Sequence, residues 1–247
     1  MEFKLIRIKD LHFSYFEKRG LFSKPTRKNI LNNFSLEIPE SCLFGLIGEN
    51  GSGKTTLTKI LMGVFKPEQG SVTIDYFGDP YNGKNNWKES IGIISGATSK
   101  IFNSMFLFEQ VKYFEILYAK FCIDSFNNYI DFFNIRHILN KRAASISFGE
   151  RIKYEIALTL SYFPKILILD EPTVGLDTIA IQQVREILTN YVQQYKACGI
   201  LTSHNLKDIN EMTNFFGYLK NGNIINFFNK NEMSLSEIEK KYVELYS

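Results

Sequence analysis

Residues 48–56 read Gly48-Glu49-Asn50-Gly51-Ser52-Gly53-Lys54-Thr55-Thr56, directly after the apolar run Cys42–Ile47. This is the pattern G-x-x-x-x-G-K-[ST], and its chemistry is phosphate binding. The glycines let successive backbone N–H groups, from Asn50 through Gly53 into Thr55 and Thr56, converge on phosphate oxygens without Cβ clashes. Lys54 can reach β- and γ-phosphates, and the Thr55 hydroxyl can ligate Mg²⁺. Leu57, Ile60, Leu61 and Val64 follow at i, i+3, i+4 and i+7, which predicts a helix whose N-terminal dipole faces the anion.

A second group of reactive residues lies downstream. The apolar run Ile166–Leu169 ends in Asp170 and Glu171. A buried strand would deliver Asp170 beside a phosphate-bound Mg²⁺. Glu171, alternating to the other side of the strand, could orient and deprotonate an attacking water. Alone, the run reads better as a strand that simply ends in solvated acids; the upstream phosphate loop supplies the ligand that the acids need.

These groups require a scaffold that brings strand ends together. Lys4–Ile8, Leu11–Tyr15 and Phe34–Ile38 alternate like strands, and Ser71–Tyr76 follows a turn at Gln69-Gly70. From about Lys100 to Ala144 the chain becomes aromatic and helical, with segments Phe108–Phe121 and Phe126–Phe133. Apolar strands at Ile166–Leu169 and Gly199–Thr202 then alternate with helical segments, Glu150–Phe163 before and Ile179–Tyr195 between. Short, fully apolar strands between helices predict a parallel sheet covered on both faces. Gly222 marks a late turn and Ser234–Tyr246 a terminal helix. The expected organisation is one α/β domain over 1–247. A nucleotide-binding core occupies 1–96 and 164–229, an inserted helical lobe 97–163, and a C-terminal helix 230–247.

Composition narrows the class. The 247 residues carry 45% hydrophobic and 22% charged side chains, as in an ordinary globular domain. A net charge of +3 is too mild to indicate nucleic acid. Cys42, Cys122 and Cys198 are scattered within apolar stretches and read as reduced, buried thiols. No stretch approaches the roughly 18 apolar residues of a membrane span, and the N-terminus lacks a signal-peptide core. A cytoplasmic location is expected.

Taken together, the motifs resemble the nucleotide-binding subunit of an ABC transporter, over roughly residues 3–228 and in that family's order. Asp170-Glu171-Pro172-Thr173, followed by Gly175-Leu176-Asp177, is similar to its Walker B and D-loop. Ile146-Ser147-Phe148-Gly149-Glu150 stands in the place of the signature, and Leu201-Thr202-Ser203-His204 resembles the switch-histidine loop. The resemblance implies a P-loop (RecA-like) parallel-sheet core with an N-terminal antiparallel β subdomain and an inserted helical lobe. It implies ATP and Mg²⁺ as ligands, with Tyr15 under the adenine and Thr55 and Asp170 at the metal. Lys54, Glu171 and His204 take the catalytic roles. Ser147, Gly149 and Asp177 face the nucleotide of a second subunit, in a homodimer or a heterodimer with another ABC ATPase. An integral-membrane permease is the implied partner, holding the subunit at the inner face of the membrane, and export is the implied direction of transport.

The chain departs from the family pattern at two places. A glutamine expected at the end of the strand before the lobe falls on Gly96 or Ala97, neither of which can ligate Mg²⁺, and Gln110 lies too far along to substitute. Phe148 and Glu150 replace a signature glycine and glutamine; a glutamate there resembles a branch of exporters. A slow ATPase is the expectation. The basic segment Phe16–Asn29 reads as a solvated hairpin tip, and the aromatic run Ile101–Phe108 as core with a groove for a permease helix. Two other classes compete. A ribosome- or DNA-acting ABC ATPase would carry a linked second cassette or long coiled coils, neither of which this sequence shows. A non-hydrolysing module is favoured by the missing glutamine but opposed by the intact Lys54, Asp170, Glu171 and His204.

Overall fold

The computed structural model describes residues 4–17, 24, 26–75, 78–79, 81, 87–96 and 99–246. Strands β1 (Lys4–Glu17) and β2 (Thr26–Pro39) form a long antiparallel pair, and β3 (Cys42–Ile47) leads into α1 (Lys54–Leu61). Strand β4 (Gln69–Ile74) returns to β1, and β5 (Ile91–Ser95) precedes the helical lobe of α2 (Leu107–Leu117), α3 (Ile123–Phe132) and α4 (Phe148–Leu160). The chain continues through β6 (Ile166–Asp170), α5 (Thr178–Gln194), β7 (Cys198–Thr202) and α6 (Leu206–Met212). The hairpin β8 (Phe215–Lys220) and β9 (Asn223–Asn229) and helix α7 (Leu235–Tyr246) complete it. One sheet has the order β2-β1-β4 and the other β5-β6-β7-β3-β8-β9, parallel except for its β9 edge. This is the expected α/β core with its antiparallel β subdomain.

Several sequence expectations need correction. The two predicted N-terminal strands are one, bent where Asp10 adopts φ 47° and the register with β2 slips. Gly70 packs on that bend: a Cβ there would lie 2.4 Å from the Asp10 carbonyl oxygen, so only glycine fits. Val64 is not on the buried face of α1 but beyond its end and 62% exposed. Pairing of β1 with β2 extends to Glu17 and Thr26, so Arg27 and Lys28 belong to a strand rather than a solvated tip; Lys18 and Arg19 lie outside the described residues, as do Tyr76 and Ala97. Cys42 and Cys198 are buried free thiols, whereas Cys122 is half-exposed at the cap of α3.

The parallel sheet separates two apolar clusters, which explains its unbroken hydrophobic strands. From β6, Leu167 and Leu169 point into the cluster shared with the helical lobe, and Ile166 and Ile168 into the cluster shared with the β subdomain. The central strands β3, β6 and β7 therefore bury both faces, and period-2 polar alternation is absent from them. Much of the lobe's aromatic content is core. Tyr162 stacks on Tyr118 at 3.9 Å and donates to the Ile91 carbonyl at 3.0 Å, joining the lobe to β5. Tyr154 donates to the Leu107 carbonyl at 2.6 Å, joining α4 to α2.

Beneath the carboxyl ends of β6 and β7, the fully buried Asp208 of α6 holds α5 and two loops together. Its Oδ1 accepts from Arg185 Nε at 2.8 Å; its Oδ2 accepts from Ser203 Oγ at 2.9 Å and from Thr173 Oγ1. Replacing Asp208 by alanine would leave a nearly buried guanidinium without its main partner. The expected cost is about 3–5 kcal/mol of unfolding free energy in urea titration. A loss below about 1 kcal/mol, typical of an exposed pair, would show that the cluster holds nothing.

Candidate functional site

The phosphate loop is built by left-handed glycines. Gly51 and Gly53 adopt φ 83° and 117°, and a Cβ on Gly53 would approach Leu31 to 3.0 Å. Other residues would be strained there. Leu57 N donates to the Gly53 carbonyl at 2.9 Å, so α1 begins as the loop ends, leaving the first-turn N–H groups free of intrahelical partners. Lys54 Nζ donates to the Gly48 and Glu49 carbonyls, the latter at 3.0 Å. The ammonium thus lies across the loop mouth. Burial pulls its pKa below that of a free lysine, against the opposing attraction of Glu171 and Asp170.

The two carboxylates come from the end of β6. In the sheet, Asp170 pairs with Ser95 on one side and Thr202 on the other, and Thr202 Oγ1 donates to Asp170 Oδ1 at 2.5 Å. Glu171 is not placed by strand alternation. The strand stops at Asp170, and Glu171 adopts φ 54°, a left-handed conformation that costs a non-glycine residue about 1–3 kcal/mol. Glu171 N donates to the Thr202 carbonyl at 2.9 Å, and the turn closes with Val174 N on the Glu171 carbonyl at 3.2 Å. Glu171 Oε2 accepts the His204 backbone N–H at 3.1 Å, and Oε1 faces His204 Nε2 at 3.5 Å. Oε1 is buried and makes no hydrogen bond among the described residues. Burial raises the Glu171 pKa above the ordinary carboxylate range, with His204 and Lys54 opposing.

A cleft of about 390 Å³ collects these groups. Its walls bring together Tyr15, Asn50, Gly51, Gly53, Lys54, Thr55, Thr56, Asp170, Glu171 and His204, ten of the residues expected from sequence. Ser52 sits on the far side of the loop, lining a neighbouring cleft with Tyr246 and Asn221. Tyr15 donates to or accepts from Thr56 Oγ1 at 3.3 Å and is wedged edge-on between Phe13 and Phe65. Lys28, Ile30 and Glu49 also line the cleft and were missed. The signal existed: Lys28 and Ile30 are two apart on β2, and Lys28 is the register partner of Tyr15.

Ser147, Gly149 and Asp177, expected to face a second subunit's nucleotide, do not line this cleft. Ser147 caps α4, its Oγ accepting the Glu150 N–H at 3.2 Å while Glu150 Oε2 accepts the Ser147 N–H at 2.8 Å. Glu150 thereby completes a capping box. Asp177 caps α5 by accepting the Ala180 N–H at 2.9 Å. Phe148 packs against Gly175, and Leu176 against Gly149, so the two caps share one exposed region. Gly96 donates to the Asp170 carbonyl at 3.0 Å. A Cβ at Gly96 would come 2.3 Å from Val174 Cγ1 and 2.5 Å from the Glu171 carbonyl oxygen, so a glutamine cannot occupy this position. Gln110 is fully buried and holds the Phe102 N–H and carbonyl at 3.0 and 3.3 Å.

The donor set suits a hard cation held largely by phosphate. Thr55 and Asp170 offer oxygen atoms at the cleft wall, and no group of three metal-ligating side chains exists among the described residues. Mg²⁺ commonly takes one or two protein oxygens and completes its shell with phosphates and water.

Comparison with known proteins agrees with this geometry. The family model described as ABC transporter matches residues 31–174. The lantibiotic transport ATP-binding protein SrtF of Streptococcus pyogenes is 32% identical over 205 residues, 81% of this chain and 84% of that protein. A solved ATP-binding subunit of an ABC transporter superposes with a TM-score of 0.84 at 23% identity, covering 98% of this chain and 100% of that one. The dimeric, post-hydrolysis ATP-binding cassette MJ0796, bound to ADP and Pi, gives 0.77 at 20% identity, covering 91% and 98%. At these identities the two structures speak for the fold alone. The matched family model, the SrtF relative and the assembled phosphate and carboxylate cleft place this chain in the ABC transporter ATP-binding family, as an ABC ATPase.

Proposed function

We propose that the chain powers transport, through a separate membrane permease, by binding and hydrolysing Mg²⁺-ATP between two such subunits. One observation carries this reading: Lys54, Asp170, Glu171 and His204, drawn from three separate strand ends, surround a single cleft. Adenine stacks on Tyr15, and the triphosphate lies on the backbone N–H groups of Asn50 through Thr56. Lys54 leaves the Gly48 and Glu49 carbonyls for the β- and γ-phosphates. Thr55 and Asp170 hold Mg²⁺, which neutralises charge developing on the phosphates.

Glu171 removes a proton from a water molecule, whose oxygen attacks the γ-phosphorus as the bond to the β-phosphate oxygen breaks. ADP and inorganic phosphate result. The raised carboxylate pKa matches a group asked to accept a proton, and Oε1, buried without a hydrogen bond, has lone pairs to offer. His204 orients that carboxylate and meets the γ-phosphate. Gly96 brings no side chain to the water or the metal, which accords with slow turnover.

Ser147 and Gly149 at the start of α4, with Asp177, meet the nucleotide of the other subunit. The Ser147 hydroxyl accepts the Glu150 N–H but keeps its own proton to donate to a phosphate, at a helix start whose dipole favours an anion. ATP then acts as the adhesive, and γ-phosphate loss weakens the closed state. Permease docking falls to the lobe, where Phe102, Phe108, Tyr113, Ile116 and Leu117 are all at least 40% exposed. An apolar patch of this kind fits a helix laid in a groove. Among the described residues no helix is long and apolar enough to cross a membrane. Export is the proposed direction, on the resemblance of Glu150 in the signature to a branch of exporters.

Three outcomes test this. Glu171→Gln should abolish turnover and accumulate an ATP-bound dimer by light scattering; unchanged turnover would remove Glu171 from the mechanism. Tyr15→Ala should weaken ATP binding by about 1–3 kcal/mol, the worth of one stacked base, in calorimetry; an unchanged affinity would place adenine elsewhere. Phe102→Asp and Ile116→Asp should release the subunit from native membranes with ATP affinity intact, and continued co-sedimentation of both would rule out this docking face.

A further inference from the structure

Glu155 is a carboxylate in the core of α4, 2% exposed among Ile152, Ile156 and Thr159. Ser99 Oγ donates to its Oε1. Lys100 offers both its backbone N–H and its ammonium charge, and Arg151 adds a second cation. Oε2 is buried without a hydrogen bond among the described residues. An acceptor left in that state is destabilising, and an apolar side chain would fill the same space without that cost. Burial raises the Glu155 pKa and pulls Lys100 down to about 8, each opposed by the charge of the other. Packing of α4 gives no reason for a charge here.

The partners of Glu155 do give one. Ser99 and Lys100 belong to the segment that leaves β5 at Gly96, and Gly96 is pressed against the carboxylate turn. Gly96, bonded to the Asp170 carbonyl, and Ser99, bonded to α4, are thus three positions apart in sequence. At the other end of the same helix, eight residues or about 12 Å earlier, stands the Ser147 cap. A rigid helix thus carries the exposed cap at its start and the anchor for the site's own exit segment in its middle.

We propose that Glu155 is a positioning residue: by holding Ser99 and Lys100 it fixes α4, and with it Ser147, relative to Asp170 and Glu171. The surface offered to a second subunit's nucleotide then follows the state of the subunit's own site. This rests on the reading that Ser147 meets ATP across a dimer. A carboxylate serves where an amide would be weaker, because the bonds from Ser99 and Lys100 are charge-assisted.

The test uses ATP-driven dimerisation of the purified full chain in the Glu171→Gln background, with Ser99→Ala and Glu155→Gln added singly. The proposal expects each addition to weaken the dimer roughly tenfold, the value of one charge-assisted hydrogen bond. In the otherwise native chain each should lower kcat by about the same factor and leave KM within about twofold. Dimerisation and kcat at parental levels would overturn the proposal while the dimer reading stands. A fall in kcat equal to the loss of folded fraction measured by circular dichroism, with dimerisation per folded chain unchanged, would also overturn it, since it would report stability alone. If Glu171→Gln itself fails to dimerise with ATP, both readings fall. Ser99 is exposed, so its alanine variant decides the matter even if Glu155→Gln does not fold.

Discussion

The site depends on one hydrogen-bonded rung across four parallel strands: Ser95 of β5 beside Asp170 of β6, Asp170 beside Thr202 of β7, and Thr202 beside Leu46 of β3. Because these residues share a level, the chain leaves the sheet at Gly96, Glu171 and Ser203 side by side, and one residue further along at Gly48. A one-residue slip of β6 would turn Asp170 to the opposite face and break the Thr202 hydroxyl bond. Apolar residues on both faces of β6 resist that slip, since it would exchange the two clusters they fill. The hydrophobic core is therefore what sets the distance between the phosphate loop and the carboxylates.

Upon that rung the site holds groups in states that water would not favour. Glu171 keeps a left-handed backbone, and burial disfavours charge on both its carboxylate and the Lys54 ammonium. Each is the other's partial compensation. The surroundings over-determine Glu171, through its own N–H on Thr202, the turn closed by Val174 and the His204 N–H on Oε2. Under the proposed mechanism, strain maintained in this way is pre-organisation, with Glu171 aimed before substrate arrives. The Asp208 cluster supports it from beneath, tying Thr173 and Ser203, the residues flanking Glu171 and His204, to the same buried carboxylate.

How much of this was legible depended on where the determining contacts lie along the chain. The phosphate loop is local, since its glycines, lysine and helix start are contiguous, and sequence gave its geometry directly. The carboxylate strand was legible for the same reason, but the turn of Glu171 was not: strand alternation would have carried it to the opposite face, and tertiary contacts from Thr202 and His204 override that. Lys28 and Ile30 were obscured because their position follows from pairing with Tyr15 across a hairpin whose tip dominated the charge pattern. The β8–β9 hairpin showed only its Gly222 turn, because its strands mix buried and exposed faces without clean alternation. Glu155 was invisible in sequence, reading as one more polar residue of an amphipathic helix until burial singled it out. Gly96 read as a missing ligand; the packing of Val174 shows instead a position where no side chain fits.

The central claim is that this cleft holds ATP and that α4 of a second copy completes it. A crystal structure of the full chain with Mg²⁺ and a non-hydrolysable ATP analogue tests both parts at once. The account predicts two chains enclosing two nucleotides, with adenine on Tyr15, phosphates along Asn50 to Thr56, and Mg²⁺ between Thr55 and Asp170. Ser147 of the partner subunit should lie within hydrogen-bond distance of the γ-phosphate. A nucleotide bound away from the phosphate loop, or one bound there with Ser147 remote from every γ-phosphate, would contradict it.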